Sequence, residues 1–250
     1  MFLNLLQASH EGQSMVLSNL TTSEAFLMII IVGIAGVIVQ WRLRSVVSKY
    51  SQEPLPGGMT GAEIAERMLR ENGIKNVSVV HTGGYLTDHF DPRTMTVNLS
   101  DEVYYGRSIT SAAIACHECG HAVQHAEGYA PLRMRSALVP LVQFSSTAAT
   151  WLIIIGLIMT ASSGSQMMCW IGVALMCISA LFSIITLPVE YNASDRALAW
   201  LQSSRVLVAE ELEGAKISLR WAARTYLVAA LSAIASILYY VALINGRRRD

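Results

Sequence analysis

The chain has 250 residues, of which 53% are hydrophobic and only 14% are charged, and its formal net charge is zero. Soluble domains carry about 25% charged residues, so this deficit predicts a protein that lies largely in lipid. A net charge of zero argues against a nucleic-acid partner. The four cysteines fall in two close pairs, the second inside an apolar run, which is not the spread framework of a disulfide scaffold.

Four apolar segments predict membrane-spanning helices, which need roughly 20 mostly apolar residues. They are residues 25–41, 137–161, 167–189 and 226–244. No small-residue cleavage site follows the first, so we interpret it as a retained anchor after an N-terminal segment, 1–24. The basic residues flanking the spans predict that 42–136 and 190–225 face the cytoplasm and that both termini lie outside. Three arginines in the tail, 245–250, disagree with that orientation.

The stretch between the first two spans predicts a small α+β unit. Thr60 and Glu63 have the spacing of a capping box, which opens a helix that ends at Gly73. Residues 77–80 are a candidate strand. Residues 94–99 alternate polar and apolar side chains, the period of a half-exposed strand. This strand either packs inside a sheet or lies at an edge where it pairs with an extended peptide.

A helix is predicted over residues 108–127, and it carries the HExxH pattern of His117, Glu118 and His121. Histidines four apart share a helix face, with Cβ atoms about 5–6 Å apart, so both can bind one Zn²⁺ ion. Glu118 is turned about 100° from His117, beside the metal. There it would act as general base toward a zinc-activated water and then pass the proton to the leaving amine. The alternative is a chance match, expected in roughly one such chain in a hundred.

A catalytic zinc needs a third protein ligand. His125 continues the same helix stripe, but about 12 Å of helix rise separates it from His117, so we interpret it as a supporting or surface residue. The better candidate is Glu190 at the predicted cytoplasmic end of the third span. An ionisable group at that boundary is costly without a partner. The alternative is a carboxylate that reaches the membrane interface on its own. Residues 190–225 would hold this ligand and an interfacial helix.

Four strings carry a family resemblance: LTDHFDPRTMTVNLS, HECGHAVQH, GYAPLRMRSALVP and TLPVEYNASDRA. From about Leu55 to the C-terminus the chain resembles the bacterial membrane neutral zinc metallopeptidases of the YugP type, which are distantly similar to HtpX-like and CAAX-prenyl-protease metallopeptidases. The resemblance implies His117 and His121 as ligands, Glu118 as the catalytic carboxylate and Glu190 as the third ligand. It also implies a site at the cytoplasmic face and a protein substrate, with membrane proteins among the candidates.

One departure from the HtpX-like pattern concerns the residue that orients a ligand histidine. That pattern is ExxxD, whereas here Ser194 stands four residues after Glu190 and Asp195 stands five after it. On a helix Asp195 is turned about 140° from Glu190. The orienting role is therefore open between Ser194, Asp195, Asn192 and His125. The group that stabilises the oxyanion is also open, with three candidates: Tyr191, Arg196 and His125.

The sequence thus predicts a mainly α integral membrane protein with about four transmembrane helices and a small cytoplasmic zincin-like α+β unit. We expect a zinc endopeptidase with one Zn²⁺ ion that cuts protein or peptide substrates at the cytoplasmic face of the bacterial inner membrane, in contact with the bilayer. The alternative is a membrane scaffold or chaperone-like adaptor that keeps the zinc site with little turnover. A redox protein using Cys116 and Cys119 is disfavoured, because Cys116 lies off the metal face and both suit helix packing.

Overall fold

The computed structural model describes residues 20–246, so most of the predicted N-terminal segment and of the tail lie outside the described residues. The helices are α1 (Thr22–Ser51), α2 (Gly61–Glu71), α3 (Asp101–Tyr104), α4 (Ile109–Ala126), α5 (Ala130–Ser163), α6 (Met167–Ser203) and α7 (Ala209–Gly246). The strands are β1 (Ser78–His81), β2 (His89–Asp91) and β3 (Thr96–Leu99). The described chain is mainly helical, as predicted.

Four helices, α1, α5, α6 and α7, are long and apolar enough to cross a membrane. Each contains one predicted span and extends beyond it. Helix α6 continues through Pro188 and Glu190, so Glu190 lies within a helix rather than in a connection that follows one. Helix α7 joins the predicted interfacial helix and the last span into one element, because no Gly-Pro break separates them.

The chain divides into two compact units, which we name the apolar unit and the mixed unit. In its described part, the apolar unit consists of residues 20–36, 138–183 and 228–246. Its helices approach closely at small residues, since a Cβ on Gly156 would lie 2.5 Å from the backbone nitrogen of Cys169. Such close approach is the usual packing of helices in lipid. The mixed unit consists of Val37–Ala137 and Ile184–Leu227 and contains the whole sheet.

The sheet has the strand order β1-β3-β2, with β3 parallel to β1 and antiparallel to β2. The alternative in which this strand lies at an edge of the sheet is wrong, because β3 pairs on both sides. Its Val97 and Leu99 are fully buried, which confirms the packing alternative. The edge strands are β1 and β2. The sequence analysis missed β2 because three residues are too few to show a period of two.

The core of the mixed unit forms between α2, α4 and the sheet. The capping box that opens α2 is confirmed: Thr60 N–H donates to the Glu63 carboxylate over 2.7 Å, and Glu63 N–H donates to the Thr60 hydroxyl over 3.1 Å. The apolar face of this helix, Ile64, Met68 and Leu69, is buried. Most residues of α4 are buried, and many of them are alanine or another small residue. Neighbouring elements can therefore approach this helix closely.

Helices α4 and α6 approach each other closely at Gly120 of α4. A Cβ at this position would lie 2.5 Å from the carbonyl oxygen of Ala193, which is itself fully buried. The contact falls one residue before His121 and three residues after Glu190. The absence of a side chain at residue 120 therefore allows the two helices to hold these groups near each other.

We predict that Gly120→Ala destabilises the mixed unit, because the added methyl would collide with rigid backbone at a cost of about 1–3 kcal/mol. The measurement is thermal unfolding in detergent, together with the zinc content of the purified protein. Gly33→Ala on α1 is the matched control, since nothing lies within 4 Å of its Cβ position. An unfolding temperature and zinc content for Gly120→Ala equal to those of the control would contradict the prediction.

Candidate metal centre

Two imidazoles and one carboxylate converge in the mixed unit. The Nε2 atom of His117 lies 3.2 Å from the Oε2 atom of Glu190, and the Nε2 atom of His121 lies 3.6 Å from the same oxygen. The donor atoms of the three residues all lie within 4.8 Å of one another. Glu190 is 1% exposed, so this carboxylate is removed from water. Two nitrogen donors and one carboxylate oxygen are a common protein ligand set for a catalytic zinc.

Each histidine is held through the ring nitrogen that does not face Glu190. The Nδ1 atom of His117 lies 3.1 Å from the Ser194 hydroxyl. The Nδ1 atom of His121 lies 3.0 Å from the side-chain oxygen of Gln124, which can only accept, so this nitrogen carries the proton. Hydrogen bonds at the far ring nitrogen fix the orientation of metal-binding histidines. Here they leave both Nε2 atoms free for a metal.

Gln124 is fully buried and connects the two helices that carry the donor atoms. Besides accepting from His121, its amide donates to the carbonyl oxygen of Val189 over 2.8 Å and to the side-chain oxygen of Asn192 over 2.9 Å. Arg196 donates to that same Asn192 oxygen over 2.8 Å. The sequence analysis missed Gln124. Its position three residues after His121, on the same face of the helix, was the available indication.

Glu118 lies beside the three donors and is held by the edge strand β2. It is 8% exposed, and its Oε2 atom accepts a hydrogen bond of 3.1 Å from the backbone N–H of Phe90 in β2. Glu118 is not one of the three clustered donors. Together with His117 and Glu190, it lines a cavity of about 140 Å³. A carboxylate so placed can exchange a proton with a molecule in the cavity without occupying a metal position.

Two further groups reach the site without having been predicted there. The Arg135 guanidinium lies 3.4 Å from the Oε1 atom of Glu190, so the two carboxylate oxygens have different partners. Tyr226 of α7 lines the same cavity as Glu118 and Glu190. The sequence analysis used Arg135 only as a topology marker and Tyr226 only as the start of a span, because neither lies near the motif in sequence.

Comparison with known proteins agrees with this geometry. The model of a family described as "Putative neutral zinc metallopeptidase" matches residues 25–245. The chain belongs to this family. A protein of Bacillus subtilis (strain 168) named "Putative membrane protease YugP" is 41% identical over 209 residues, which are 83% of this chain and 91% of that protein. No solved structure matches the chain. Membership of a zinc peptidase family implies zinc, and the three clustered donors are a candidate site for it.

In this family member, two residues named from the sequence as possible orienting groups lie away from the donors. His125 is exposed, and its ring centroid lies 5.7 Å from that of Phe90, so it supports β2. Asp195 is exposed because five residues along a helix turn it away from Glu190. Ser194, four residues after Glu190, instead contacts His117. The position where the HtpX-like pattern has a carboxylate thus holds a hydroxyl.

Two of the residues predicted as candidates for oxyanion stabilisation, Arg196 and Tyr191, do not line the cavity. Arg196 donates to Glu127 over 2.7 Å as well as to Asn192. Tyr191 is 42% exposed, and it is not among the residues that line the cavity. Among the described residues that line the cavity together with Glu118, Tyr226 is the one tyrosine.

The pKa values of His121 and of the two cysteines of α4 are shifted by different causes. Burial alone would lower the pKa of His121, but hydrogen bonding to Glu190 and the nearby charge of Glu118 raise it above the usual value. A proton and a metal ion therefore compete for this imidazole. Burial raises the pKa of the Cys116 and Cys119 thiols well above the usual range. Both cysteines are fully buried, which fits the packing role predicted for them.

We predict that Gln124→Leu weakens zinc binding about 10- to 100-fold, because the change keeps the volume but removes the group that orients His121. Chelator competition gives the affinity, and the visible spectrum of the Co²⁺-loaded protein reports distorted ligand geometry. Gln124→Glu keeps the acceptor for His121 but loses the amide that donates to Val189 and Asn192, so it should recover only a small part of the loss. Gln202→Leu, at an exposed position of α6, is the control. Wild-type affinity and an unchanged Co²⁺ spectrum in Gln124→Leu would refute this role.

Proposed function

We propose that the protein is a zinc-dependent endopeptidase that hydrolyses peptide bonds of protein substrates near the cytoplasmic surface of the bacterial inner membrane. The observation that carries the proposal is the convergence of His117, His121 and Glu190 with Glu118 beside them. Membership of the neutral zinc metallopeptidase family and similarity to a protein named as a membrane protease support it.

The residues fit one zinc ion. His117, His121 and Glu190 would hold it, and three protein ligands leave one position open, as in catalytic zinc sites. Zinc bound there would activate water at neutral pH and polarise the scissile carbonyl group. The cavity beside the donors provides space for a substrate. An open position facing a cavity is what distinguishes a catalytic site from a closed structural one.

Glu118 is the proposed general base and acid. Phe90 N–H occupies its Oε2 atom, which fixes the carboxylate and leaves Oε1 to act. This oxygen would take a proton from the attacking water and deliver it to the nitrogen of the leaving amine. Its reduced exposure limits exchange of that proton with bulk solvent.

Tyr226 and Arg135 are the proposed supporting groups. The Tyr226 hydroxyl can donate a hydrogen bond to the negative oxygen that develops on the scissile carbonyl, since it lines the same cavity as Glu118. Arg135 acts on Glu190 instead, because it lies beside the Oε1 atom and leaves Oε2 to face the two imidazoles. It is therefore a positioning residue.

The substrate would bind as an extended peptide beside β2. This strand is at the edge of the sheet, and its Phe90 N–H points to the catalytic carboxylate. Edge strands bind extended peptides through main-chain hydrogen bonds. The role that the sequence analysis considered for β3 thus passes to β2. Protein or peptide substrates fit this arrangement, and membrane proteins are the class that the four apolar helices favour.

The alternative is a membrane scaffold or chaperone-like adaptor that keeps the zinc site with little turnover. A structural zinc site has no use for a buried carboxylate beside its ligands, and burying an unused charge is costly. The placement of Glu118 therefore favours the enzyme.

We predict that Glu118→Gln keeps one zinc per chain but lowers peptide cleavage by at least about 100-fold, because it removes the proton acceptor and leaves the ligands intact. Glu190→Ala should lose zinc. Elemental analysis and cleavage assays of the purified proteins measure both results. Glu210→Gln, at an exposed position of α7, is the control. Undiminished cleavage by Glu118→Gln would overturn the mechanism, and full zinc occupancy in Glu190→Ala would remove that residue from the ligand set.

We predict that the C-terminal end of α5 and the connection after it lie outside the cell and that residues 190–225 lie in the cytoplasm. The connection, 164–166, has no charge, whereas residues 190–225 carry five basic residues. Ser163→Cys and Gln202→Cys, each made in a background without the native cysteines, place one exposed thiol in each region. A membrane-impermeant maleimide should label the first in intact cells and the second only after lysis. The reverse pattern would place the metal site on the outer side.

A further inference from the structure

The cavity beside the metal donors is lined partly by polar and partly by apolar side chains, and we name these two parts its polar end and its apolar end. At the polar end lie His117, Glu118 and Glu190. The apolar end belongs to side chains of four elements or connections in the mixed unit: Leu43, Val47, Leu86, Ile114, Leu219, Ala222 and Ala223. No Lys or Arg side chain is among the described residues that line it.

The wall from α1 is fixed in place by contacts with two neighbouring helices. The Thr110 hydroxyl of α4 donates to the carbonyl oxygen of Val47 over 3.3 Å. A Cβ at Gly214 of α7 would lie 2.6 Å from the ring of Tyr50, so the end of α1 lies directly on that helix. Leu43, one turn before Val47, is therefore held at the cavity by a rigid support.

The wall from α7 is made of small side chains. One face of α7 lines the cavity. Leu219 precedes Ala222 and Ala223 by three and four residues, and Tyr226 follows them by four and three, which is the spacing of a single helix face. The two alanines stand between the larger Leu219 and Tyr226. Side chains no longer than a methyl group at these two positions are what leaves space at the apolar end.

The apolar end directly adjoins the reacting position. Ile114 lies one turn before His117 on α4, so the same helix face presents an apolar side chain and then a metal donor. Leu86, which is 44% exposed, lines the cavity from the connection between β1 and β2. A side chain bound among these residues would belong to an amino acid next to the scissile bond.

The carboxylates of the cavity do not favour a basic side chain there. Asp88 accepts a hydrogen bond of 2.8 Å from the backbone N–H of Ser100 and another from the Ser100 hydroxyl, which lies 3.0 Å from both carboxylate oxygens. Glu118 is held by Phe90, and Glu190 by the two histidines and Arg135. Each negative charge therefore already has partners. The rest of the lining is uncharged apart from His117, and it consists of apolar side chains and four hydroxyl-bearing ones.

We propose that this end of the cavity is the specificity pocket of the enzyme and that it accepts an apolar side chain, of the size of leucine, methionine or phenylalanine, from the residue adjoining the scissile bond. The inference rests on the proposed function. Ala222 and Leu43 set the size of the pocket from opposite helices.

The first measurement is cleavage of a peptide series that differs at one position by the zinc-loaded wild-type protein. Mass spectrometry identifies the bond that is cut. We expect kcat/KM for leucine, methionine or phenylalanine at that position to exceed the value for serine, aspartate or lysine by about 10- to 200-fold. Equal rates across the series would overturn the pocket and leave the proposed function intact.

Two variants change the pocket in opposite directions. Ala222→Leu should fill it and move the preference to alanine or valine, whereas Leu43→Ala should enlarge it and favour phenylalanine or tryptophan over leucine. Ala229→Leu, an exposed position of α7 that does not line the cavity, should keep the wild-type preference. If Ala222→Leu fails to fold, Leu43→Ala still tests the pocket. A folded variant at either position that keeps the wild-type preference would overturn the assignment.

Binding to the zinc-loaded Glu118→Gln protein separates the two proposals. The same fluorescent peptides should bind with the same order of preference, because recognition by the pocket does not require turnover. Selective binding of apolar peptides without any cleavage by the wild type would keep the pocket and reject the endopeptidase. Cleavage by the wild type together with unselective binding would keep the endopeptidase and reject the pocket.

Discussion

The carboxylate of Glu190, buried within α6 between two imidazoles and a guanidinium, is the interaction on which the rest of the site depends. A buried charge is tolerated only where opposite charges and hydrogen bonds surround it. His117, His121 and Arg135 supply these contacts, and they come from two other helices. The chain can bring them together because Gly120 lets α4 lie against the backbone of α6. The geometry of a metal site thus follows from one close helix contact.

A buried polar network then fixes what that contact brings together. The side-chain oxygen of Gln124 accepts from His121, and its amide donates to Val189 and Asn192. Each polar atom of this buried side chain therefore has a hydrogen-bond partner. Such a network is stable only when every member is satisfied, because an unpaired buried polar atom costs about 1–3 kcal/mol. The same bonds that stabilise the crossing of α4 and α6 therefore also orient a ligand. Structural and functional requirements fall on one residue.

The extent to which the site could be predicted depends on how its residues are related along the chain. His117, Glu118 and His121 follow a local helical spacing, and the sequence predicts them as a set. Glu190 was predicted as the third ligand because a carboxylate beside an apolar segment needs a partner. Tyr226 and the pocket wall at Leu43 could not be found this way, since only tertiary packing brings separate helices to the same cavity. The strand β2 was missed for a different reason, because three residues do not establish a pattern.

The residues that contact the far ring nitrogens of the two histidines are uncharged, and this affects the net charge of the site with and without a metal. A carboxylate behind a ligand imidazole raises the basicity of that ligand, whereas Ser194 and Gln124 are uncharged. Three carboxylates line the cavity and one guanidinium, that of Arg135, contacts Glu190, so the site is negative before any metal binds. A divalent cation held by the three donors would offset this charge. It would also place a positive charge beside the scissile carbonyl oxygen, which favours the negative charge that develops there during hydrolysis. A hydroxyl in place of the carboxylate of the HtpX-like pattern is therefore compatible with catalysis.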